Sequence, residues 1–257
     1  MMNVSKGRLI VASIPAYNEE KTIARLILLA EKYVDIVVVC DDGSTDMTAK
    51  IAENMGADVL RHKRNAGYGA AIKSLFGRAR ELDADIMITL DGDGQHDPND
   101  IPLLLKPITE GSADIAVGSR FLKSVKATKE VPLYRHVGIK AITKLTNAAS
   151  NSRMSDAQSG FRAYSRRALE QLGLHENGMG VSVEILMKAR EQNLRVEEVA
   201  VSCNYKGLKT STHGPLTHGA GVIMSIVKLV VEEKPLLFLG LSGAVSLLIW
   251  VLLNIVL

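Results

Sequence analysis

The sequence is poor in the residues that mark disulfide-rich, zinc-binding and nucleic-acid-binding proteins. Its two cysteines, Cys40 and Cys203, form no Cys-x-x-Cys pair, and no cysteine and histidine residues are spaced as zinc ligands. Both lie in apolar, strand-like runs, which predicts reduced, buried thiols in a reducing compartment. Aromatic residues make up 4% of the chain and the net charge is +3, and these values argue against binding to nucleic acid.

The N-terminal residues also lack the pattern of a secretory signal peptide. Lys6 and Arg8 precede only a short apolar run, from Leu9 to Ile14, and Pro15 ends that run. We therefore expect that the N-terminal part of the chain is not exported and works in the cytosol.

The last part of the chain is a long apolar segment. Residues 236–257 contain no charged side chain and only three polar ones. A helix of this length spans about 33 Å, enough to cross a hydrocarbon core of roughly 30 Å. Lys228 and Lys234 precede the segment, which favours a cytosolic N-terminal end for the span. A buried helix of a soluble domain is the alternative, but so apolar a segment has no polar face for water.

The stretch before this segment, residues 216–233, is amphipathic. That pattern fits a helix lying in the membrane interface, and it fits equally a helix packed on the preceding domain. We therefore predict a globular domain at residues 1–212, an amphipathic juxtamembrane helix at 213–235 and a transmembrane helix at 236–257.

Within residues 8–118, apolar β-branched runs alternate with amphipathic stretches, which is typical of an α/β protein. Continuous apolar strands separated by helices predict a mainly parallel sheet that is covered on both faces. The strand-like runs are Leu9–Ile14, Ile36–Cys40, Asp85–Leu90 and Ile115–Val117, and the helical stretches are Glu19–Tyr33, Thr45–Met55, Gly69–Leu82 and Asn99–Thr109.

The second half of the chain is less regular. We predict a loop over residues 123–131, an amphipathic helix over 135–151 and a helix over 181–192. Residues 158–164 and 195–205 read as strands on either side of the last helix.

The strongest chemical signal is the pair Asp91 and Asp93, which follows a buried strand-like run. Ligands of parallel α/β sheets bind beyond the carboxyl ends of the strands, so both carboxylates are expected at the binding edge. Carboxylates this close repel each other unless a cation or proton compensates them. Mg²⁺ or Mn²⁺ would do so, with Gln95 as a further oxygen ligand. An acidic loop that caps the next helix, through Asp97 or Asn99, is the alternative.

Two further polar segments follow strand-like runs. The segment Asp41–Asp46 opens a helix that Ser44 or Thr45 could cap, but two adjacent aspartates exceed what a cap requires. One of them could accept hydrogen bonds from a nucleobase or a ribose. The glycine-rich segment Asn65–Gly69 suits close approach of a diphosphate, although an ordinary helix start explains it better.

Taken together, these segments resemble a known family. The chain is similar to family 2 glycosyltransferases with the GT-A fold, and most of all to dolichyl-phosphate mannose and glucose synthases. The resemblance covers roughly residues 8–212 together with the C-terminal apolar segment. It rests on six motifs in the family's order: Pro15-Ala-Tyr-Asn-Glu19, Asp41-Asp-Gly-Ser-Thr-Asp46, Asn65-Ala-Gly-Tyr-Gly69, Asp91-Gly-Asp-Gly-Gln-His-Asp-Pro98, Gly118-Ser-Arg120 and Ser159-Gly-Phe-Arg162.

The resemblance implies donor-side roles for residues in these motifs. A nucleotide-sugar such as GDP-mannose or UDP-glucose would be the donor. The residues implied to hold its nucleoside are Pro15, Tyr17, Glu19 and Asp42. Those implied to bind Mg²⁺ or Mn²⁺ beside the diphosphate are Asp91, Asp93 and Gln95, and Asp93 is also expected to be catalytic.

The resemblance also implies an acceptor side. Arg120 and Arg135 would bind the phosphate of a polyprenyl or dolichyl lipid and act as catalytic residues. Asp156, Gln158 and Ser159 would line the region of the sugar and the acceptor. For both arginines, an ion pair at the protein surface is the alternative.

Two absences favour a phosphate acceptor over a hydroxyl acceptor. Family members that act on hydroxyls often carry a Glu-Asp pair with a catalytic base, and no such dipeptide occurs here, although Glu184 lies in a comparable region. Processive synthases carry Gln-x-x-Arg-Trp, whereas the single tryptophan, Trp250, lies in the apolar segment. A lipid phosphate is largely dianionic at pH 7 and needs positioning rather than a base.

We therefore expect an inverting, metal-dependent hexosyltransferase at the cell membrane, with its catalytic domain on the cytoplasmic side and in contact with the lipid bilayer. A glycosyltransferase acting on a hydroxyl of a lipid-linked glycan or envelope polysaccharide is the main alternative. A nucleotidyltransferase would release pyrophosphate instead. A non-enzymatic nucleotide-sugar sensor would not need to keep the three expected metal ligands together.

Overall fold

The computed structural model describes residues 7–122, 139, 140, 142–144, 146, 147 and 153–203. In these residues the apolar β-branched runs form a seven-stranded sheet. The strands are β1 (Ile10–Ala16), β2 (Ile36–Asp41), β3 (Asp58–Arg61), β4 (Ile86–Thr89), β5 (Ile115–Ser119), β6 (Arg162–Ser165) and β7 (Val196–Ala200).

Helices separate most of the strands along the chain, as expected for parallel neighbours that need crossover connections. A 3₁₀ turn over Pro98–Asp100 precedes one of them, and its first N–H is capped by the side chain of Asp97. The described residues between 139 and 147 are also helical. The helices are α1 (Ile23–Ala30), α2 (Thr48–Asn54), α3 (Tyr68–Glu81), α4 (Ile101–Thr109), α5 (Arg166–Gln171) and α6 (Val181–Glu191).

The sheet is buried on both faces. In β1, Ile10 and Ile14 belong to the apolar core shared with α1 and α4, while Val11 belongs to the core on the opposite face with Leu75 and Phe76 of α3. Successive strand residues point to opposite faces, so a strand that is covered on both sides must be apolar throughout. The continuous apolar runs therefore predict this layer arrangement correctly.

The strand order is β3-β2-β1-β4-β6-β5-β7. β1 pairs in parallel with β2 on one side and with β4 on the other, so the strand ends at Ala16, Asp41 and Thr89 lie along one edge, which we call the carboxyl edge. β6 runs antiparallel to β4 and β5. Consequently, the residues after β5 and the residues before β6 also reach the carboxyl edge.

The predicted mainly parallel α/β sheet is confirmed, with differences at particular elements. β3 and α5 were not predicted, because β3 is a four-residue strand with no fully buried residue and α5 has six residues. The first helix begins at Ile23 instead of Glu19. Residues 20–22 form a turn before the helix, and Asn18, with a left-handed φ of 57°, prevents a right-handed helix from extending further back.

Among the described residues, no helix combines the length and the apolar character needed to cross a bilayer. The predicted juxtamembrane helix at 213–235 and the predicted transmembrane helix at 236–257 lie outside the described residues, as do Arg135 and the predicted loop at 123–131.

Candidate active site

A cavity of about 360 Å³ opens at the carboxyl edge. It brings together residues that are far apart in the sequence, because β1, β2 and β4 end side by side there. The predicted residues that line it are Pro15, Tyr17, Glu19, Asp42, Asp91, Asp93 and Gln158. Lining residues to which the sequence assigned no individual role include Tyr68, Gly178, Met179 and Ser182.

Acidic side chains dominate one wall of the cavity. Removal from water and the neighbouring charge of Asp91 raise the pKa of Asp93 to about 7, and Glu19 adds to the effect. Burial also raises the pKa of Glu19, with smaller contributions from Asp46 and Asp91. Carboxylates that repel one another in this way fit an oxygen-preferring divalent cation, which would relieve the repulsion.

Gln95 lies beside Asp93 but does not itself line the cavity. Its backbone N–H donates to Asp93 Oδ1 at 3.0 Å, and its side-chain amide donates to Asp93 Oδ2 at 2.5 Å. An amide side chain can turn over and present its carbonyl oxygen. In the described part of the chain, no three His, Cys, Asp or Glu side chains converge closely enough to hold a metal unaided. A cation held by Asp91, Asp93 and Gln95 would need further ligands from a substrate and water.

Asp91 is held in one orientation by two neighbours. The hydroxyl of the half-buried Tyr68 donates to Asp91 Oδ1 at 2.9 Å. Burial, together with the charge of Asp91, keeps the pKa of Tyr68 well above its usual value, so the hydroxyl stays a donor. On another side, Gly160 leaves room for the carboxylate, because a Cβ there would overlap its oxygens. Tyr68 is a site residue that the sequence did not single out.

The carboxylate of Asp42 is fixed by backbone and side-chain donors. It accepts hydrogen bonds from the backbone N–H groups of Ala66 and Gly67, each at 2.9 Å, and contacts the ring of His62. Gly67 has φ of 101°, and a Cβ there would lie 2.5 Å from the carbonyl oxygen of Asn177. The glycine of this turn therefore admits protein backbone, and Asn65 and Gly67 also line the cavity.

The segment after β2 supports the segment after β1. Ser44 Oγ accepts from the N–H of Asn18 at 2.8 Å, and Thr48 Oγ1 accepts from the N–H of Glu19 at 2.7 Å. In return, Asn18 Oδ1 accepts from the N–H of Thr45 at 2.9 Å. The expectation that Ser44 or Thr45 caps α2 is wrong, because α2 begins only at Thr48. These hydrogen bonds instead fix the turn that carries Tyr17 and Glu19 into the cavity.

Two residues predicted for the acceptor side pair with each other. Arg120 Nε lies 2.6 Å from Asp156 Oδ2, and Arg120 Nη2 lies 2.8 Å from Asp156 Oδ1. Burial opposes the charge of Asp156, yet the charge and hydrogen bonds of Arg120 outweigh it and lower the pKa of the carboxyl. Of the predicted acceptor residues that are described, Gln158 lines the cavity, while Arg120, Asp156 and Ser159 are buried beside it.

Glu184 is buried and does not line the cavity. Its carboxylate accepts from the N–H groups of His175 and Glu176 at 2.8 and 2.9 Å, and it lies 3.0 Å from Lys188 Nζ. Burial opposes ionisation, but these donors together lower the pKa of Glu184. Glu184 thus anchors the segment that leads to Gly178 in the cavity wall, a position unlike that of a base in contact with an acceptor.

We expect Glu184→Gln to weaken the fold more than the chemistry. A glutamine amide cannot accept from all three donors at once, so the free energy of unfolding should fall by about 1–3 kcal/mol. Urea denaturation would measure this loss, and turnover at 25 °C should stay within about tenfold of the wild type. Exposed Glu191→Gln, on the same helix, is the control. An inactive Glu184→Gln variant with unchanged stability would contradict the anchoring role.

Comparison with known proteins gives a consistent result. Residues 12–173 match the family model described as Glycosyl transferase family 2. UDP-N-acetylglucosamine–dolichyl-phosphate N-acetylglucosaminyltransferase from Methanococcus voltae is 34% identical over 218 residues, which cover 77% of this chain and 86% of that protein. Dolichyl-phosphate hexose transferase from Haloferax volcanii is 30% identical over 220 residues, 85% of this chain and 92% of that protein.

A solved structure shares the architecture. Glucosyl-3-phosphoglycerate synthase from Mycobacterium tuberculosis, in complex with Mn²⁺, uridine diphosphate and phosphoglyceric acid, superposes with a TM-score of 0.64 at 25% identity. The superposition covers 86% of this chain and 78% of that one.

Proposed function

Because this chain belongs to glycosyl transferase family 2 and has the GT-A fold, we propose that it transfers a hexose from a nucleotide-sugar to a polyprenyl or dolichyl phosphate. The chain is a glycosyltransferase. The observation that carries the finer proposal is the acidic cavity at the carboxyl edge, lined by the residues expected to hold the donor. Two relatives bear names that specify dolichyl phosphate as the acceptor.

The donor would lie along the carboxyl edge. Asp42 accepts hydrogen bonds, so it suits an N–H of the nucleobase or a ribose hydroxyl, while Pro15 and Tyr17 form the adjoining wall. Mg²⁺ or Mn²⁺ held by Asp91, Asp93 and Gln95 would neutralise the charge that develops on the departing nucleoside diphosphate. The donor could be GDP-mannose, UDP-glucose or UDP-N-acetylglucosamine.

The acceptor needs positioning rather than deprotonation. A phosphate monoester is largely dianionic at pH 7, so its oxygen can attack the anomeric carbon directly. The bond to the diphosphate breaks on the opposite face, which inverts the configuration. We propose that Arg120 and Arg135 place this phosphate. Arg120 supports this proposal by its charge and by its position beside the cavity, where it also pairs with Asp156.

We further propose that this reaction takes place at the cytoplasmic face of the cell membrane. Support comes from the apolar segment at residues 236–257, the lysines that precede it, and the lipid acceptors in the names of relatives. Residues 213–235 would then lie along the bilayer surface and keep the cavity near the acceptor headgroup.

Membranes that contain the full chain offer a direct test of this proposal. They would be incubated with labelled GDP-mannose, UDP-glucose or UDP-N-acetylglucosamine, with Mn²⁺ or with a chelator, and with added polyprenyl phosphate. We expect acid-labile label in the organic phase, from one donor, only when the cation is present. Polyprenol without its phosphate is the matched acceptor. Transfer to polyprenol, or no transfer to lipid from any donor, would refute the phosphate acceptor.

A further inference from the structure

Three polar side chains, those of Ser74, His62 and Asp42, connect α3 to the wall of the cavity. Ser74 Oγ lies 2.8 Å from His62 Nε2, and His62 Nδ1 lies 2.6 Å from Asp42 Oδ1. Because an ionised carboxylate only accepts hydrogen bonds, Nδ1 of His62 must carry the hydrogen that Asp42 receives. We infer that His62 is a positioning residue that orients Asp42 toward the nucleoside of the donor. This inference rests on the proposed function.

The hydrogen bonds on Asp42 indicate why orientation matters. Oδ1 accepts from His62 and from the N–H of Ala66, while Oδ2 accepts from the N–H of Gly67. A carboxylate oxygen accepts about two hydrogen bonds, so these contacts fill Oδ1 and leave Oδ2 with capacity for one more. Asp42 lines the cavity, so a nucleoside N–H or hydroxyl can use that capacity. Without His62, Oδ1 would lose one of its two hydrogen bonds. The carboxylate could then rotate, so that Oδ1 accepts the nucleoside hydrogen bond that Oδ2 is expected to accept.

His62 is itself held by its surroundings. Its backbone N–H donates to the carbonyl of Asp41 at 2.9 Å, so it lies directly beside the end of β2. On the far side of the ring, Ser74 limits its rotation. Ser74, His62 and Asp42 thus come from three different elements, α3, the end of β3 and the end of β2, and the ring links them rigidly to the carboxyl edge.

The same residues resemble the serine–histidine–aspartate arrangement of hydrolases, but they do not form a nucleophilic site. Ser74 does not contribute to the cavity wall described above, whereas a nucleophile must contact substrate. Cys40 Sγ also lies near the ring, 3.6 Å from Nε2. Burial raises the pKa of the Cys40 thiol to about 12, so it stays protonated. The positioning role accounts for the geometry without a covalent step.

Two substitutions at His62 distinguish the contact of Nδ1 with Asp42 from the contact of Nε2 with Ser74. In His62→Asn, the amide nitrogen falls near the position of Nδ1 and keeps the donor for Asp42. In His62→Gln, it falls near Nε2 and keeps the contact with Ser74 only. We expect His62→Gln to raise KM for the donor by roughly tenfold with kcat nearly unchanged, the size expected for one lost hydrogen bond. His62→Asn should remain within about threefold of the wild type.

Calorimetric binding of UDP and GDP to the full chain, with Mn²⁺ and without acceptor, provides a readout independent of transfer. We expect the Kd of His62→Gln to be roughly tenfold higher than that of the wild type and the Kd of His62→Asn to be close to it. Equal Kd and KM values for both variants, with equal losses of Tm, would show a purely structural role and overturn the inference. If the wild type binds a nucleotide but transfers no sugar to lipid, the proposed acceptor fails while the role of His62 is still decided. If the wild type binds neither nucleotide, both fail.

Discussion

Asp93→Asn is expected to lower kcat/KM for sugar transfer by roughly 10³-fold while making the folded chain more resistant to heat at pH 8. The loss follows from the removal of a carboxylate that would hold the cation beside the diphosphate, where charge stabilisation contributes several kcal/mol. The gain in stability follows from the electrostatics of the acidic wall, because an amide of the same shape carries no charge into it.

The sign of the stability change depends on pH. Burial and the charge of Asp91 raise the pKa of Asp93 from an ordinary value of 3.8 to about 7. The folded state therefore holds a proton that the unfolded state releases, and the charged form destabilises the fold increasingly between about pH 4 and pH 7. Asp93→Asn should raise Tm at pH 8 and leave it nearly unchanged at pH 4.

Differential scanning calorimetry with and without Mn²⁺ would check both effects. Added Mn²⁺ should raise Tm of the wild type, since a ligand that binds the folded state stabilises it, and it should raise Tm of Asp93→Asn much less. Glu191→Gln, at an exposed carboxylate, should follow the wild type in every measurement. An Asp93→Asn variant that retains full activity, or that loses activity only because it unfolds, would contradict the assignment.

Asp156→Asn is expected to reduce the free energy of unfolding by about 3–5 kcal/mol, the typical cost of removing one partner from a buried ion pair. The guanidinium of Arg120 would keep its charge in a buried environment without the carboxylate that now compensates it. Because pairing lowers the pKa of Asp156, the stabilisation is present above about pH 4 and is lost as pH falls through the lowered value. Urea denaturation at pH 7.5 would measure the loss.

A double variant would separate the cost of an unpaired buried charge from the loss of the pair itself. Removing both charges in Arg120→Leu/Asp156→Leu should cost less than Asp156→Asn, since no unpaired buried charge remains. The double variant should still transfer sugar poorly if Arg120 also places the acceptor phosphate. A cost below about 1 kcal/mol for Asp156→Asn would contradict a major role of the pair in folding. A loss of transfer activity in that stable variant would instead indicate that Asp156 contacts the acceptor directly.

The sequence predicts the sheet well where periodicity and burial agree. The apolar runs that form β1, β2, β4 and β5 are recognisable because strands covered on both faces must be apolar throughout. Asp91 could be predicted as a residue at the carboxyl edge for the same reason. β3 could not be predicted, since an edge strand with half-buried side chains carries no such pattern.

The parts of the site that depend on tertiary contacts could not be predicted. Tyr68 lies within a motif noted for its glycines, and only the folded chain shows its hydroxyl against Asp91. Asp156 was expected to line the acceptor region and Glu184 to lie where related enzymes carry a base, whereas both carboxylates are buried and accept hydrogen bonds from specific donors. The left-handed residue Asn18 offers a partial signal, because asparagine before a helix often marks a turn.

The reversed direction of β6 has a consequence for how such enzymes could diversify. The chain leaves the carboxyl edge after Ser119 and returns to it at Arg162, and these positions lie on neighbouring antiparallel strands. A connecting segment whose two ends are held together by paired strands can change in length and composition at little cost in chain entropy. The length and composition of this one insertion can therefore change while the strands that lead to Asp42 and Asp91 stay the same.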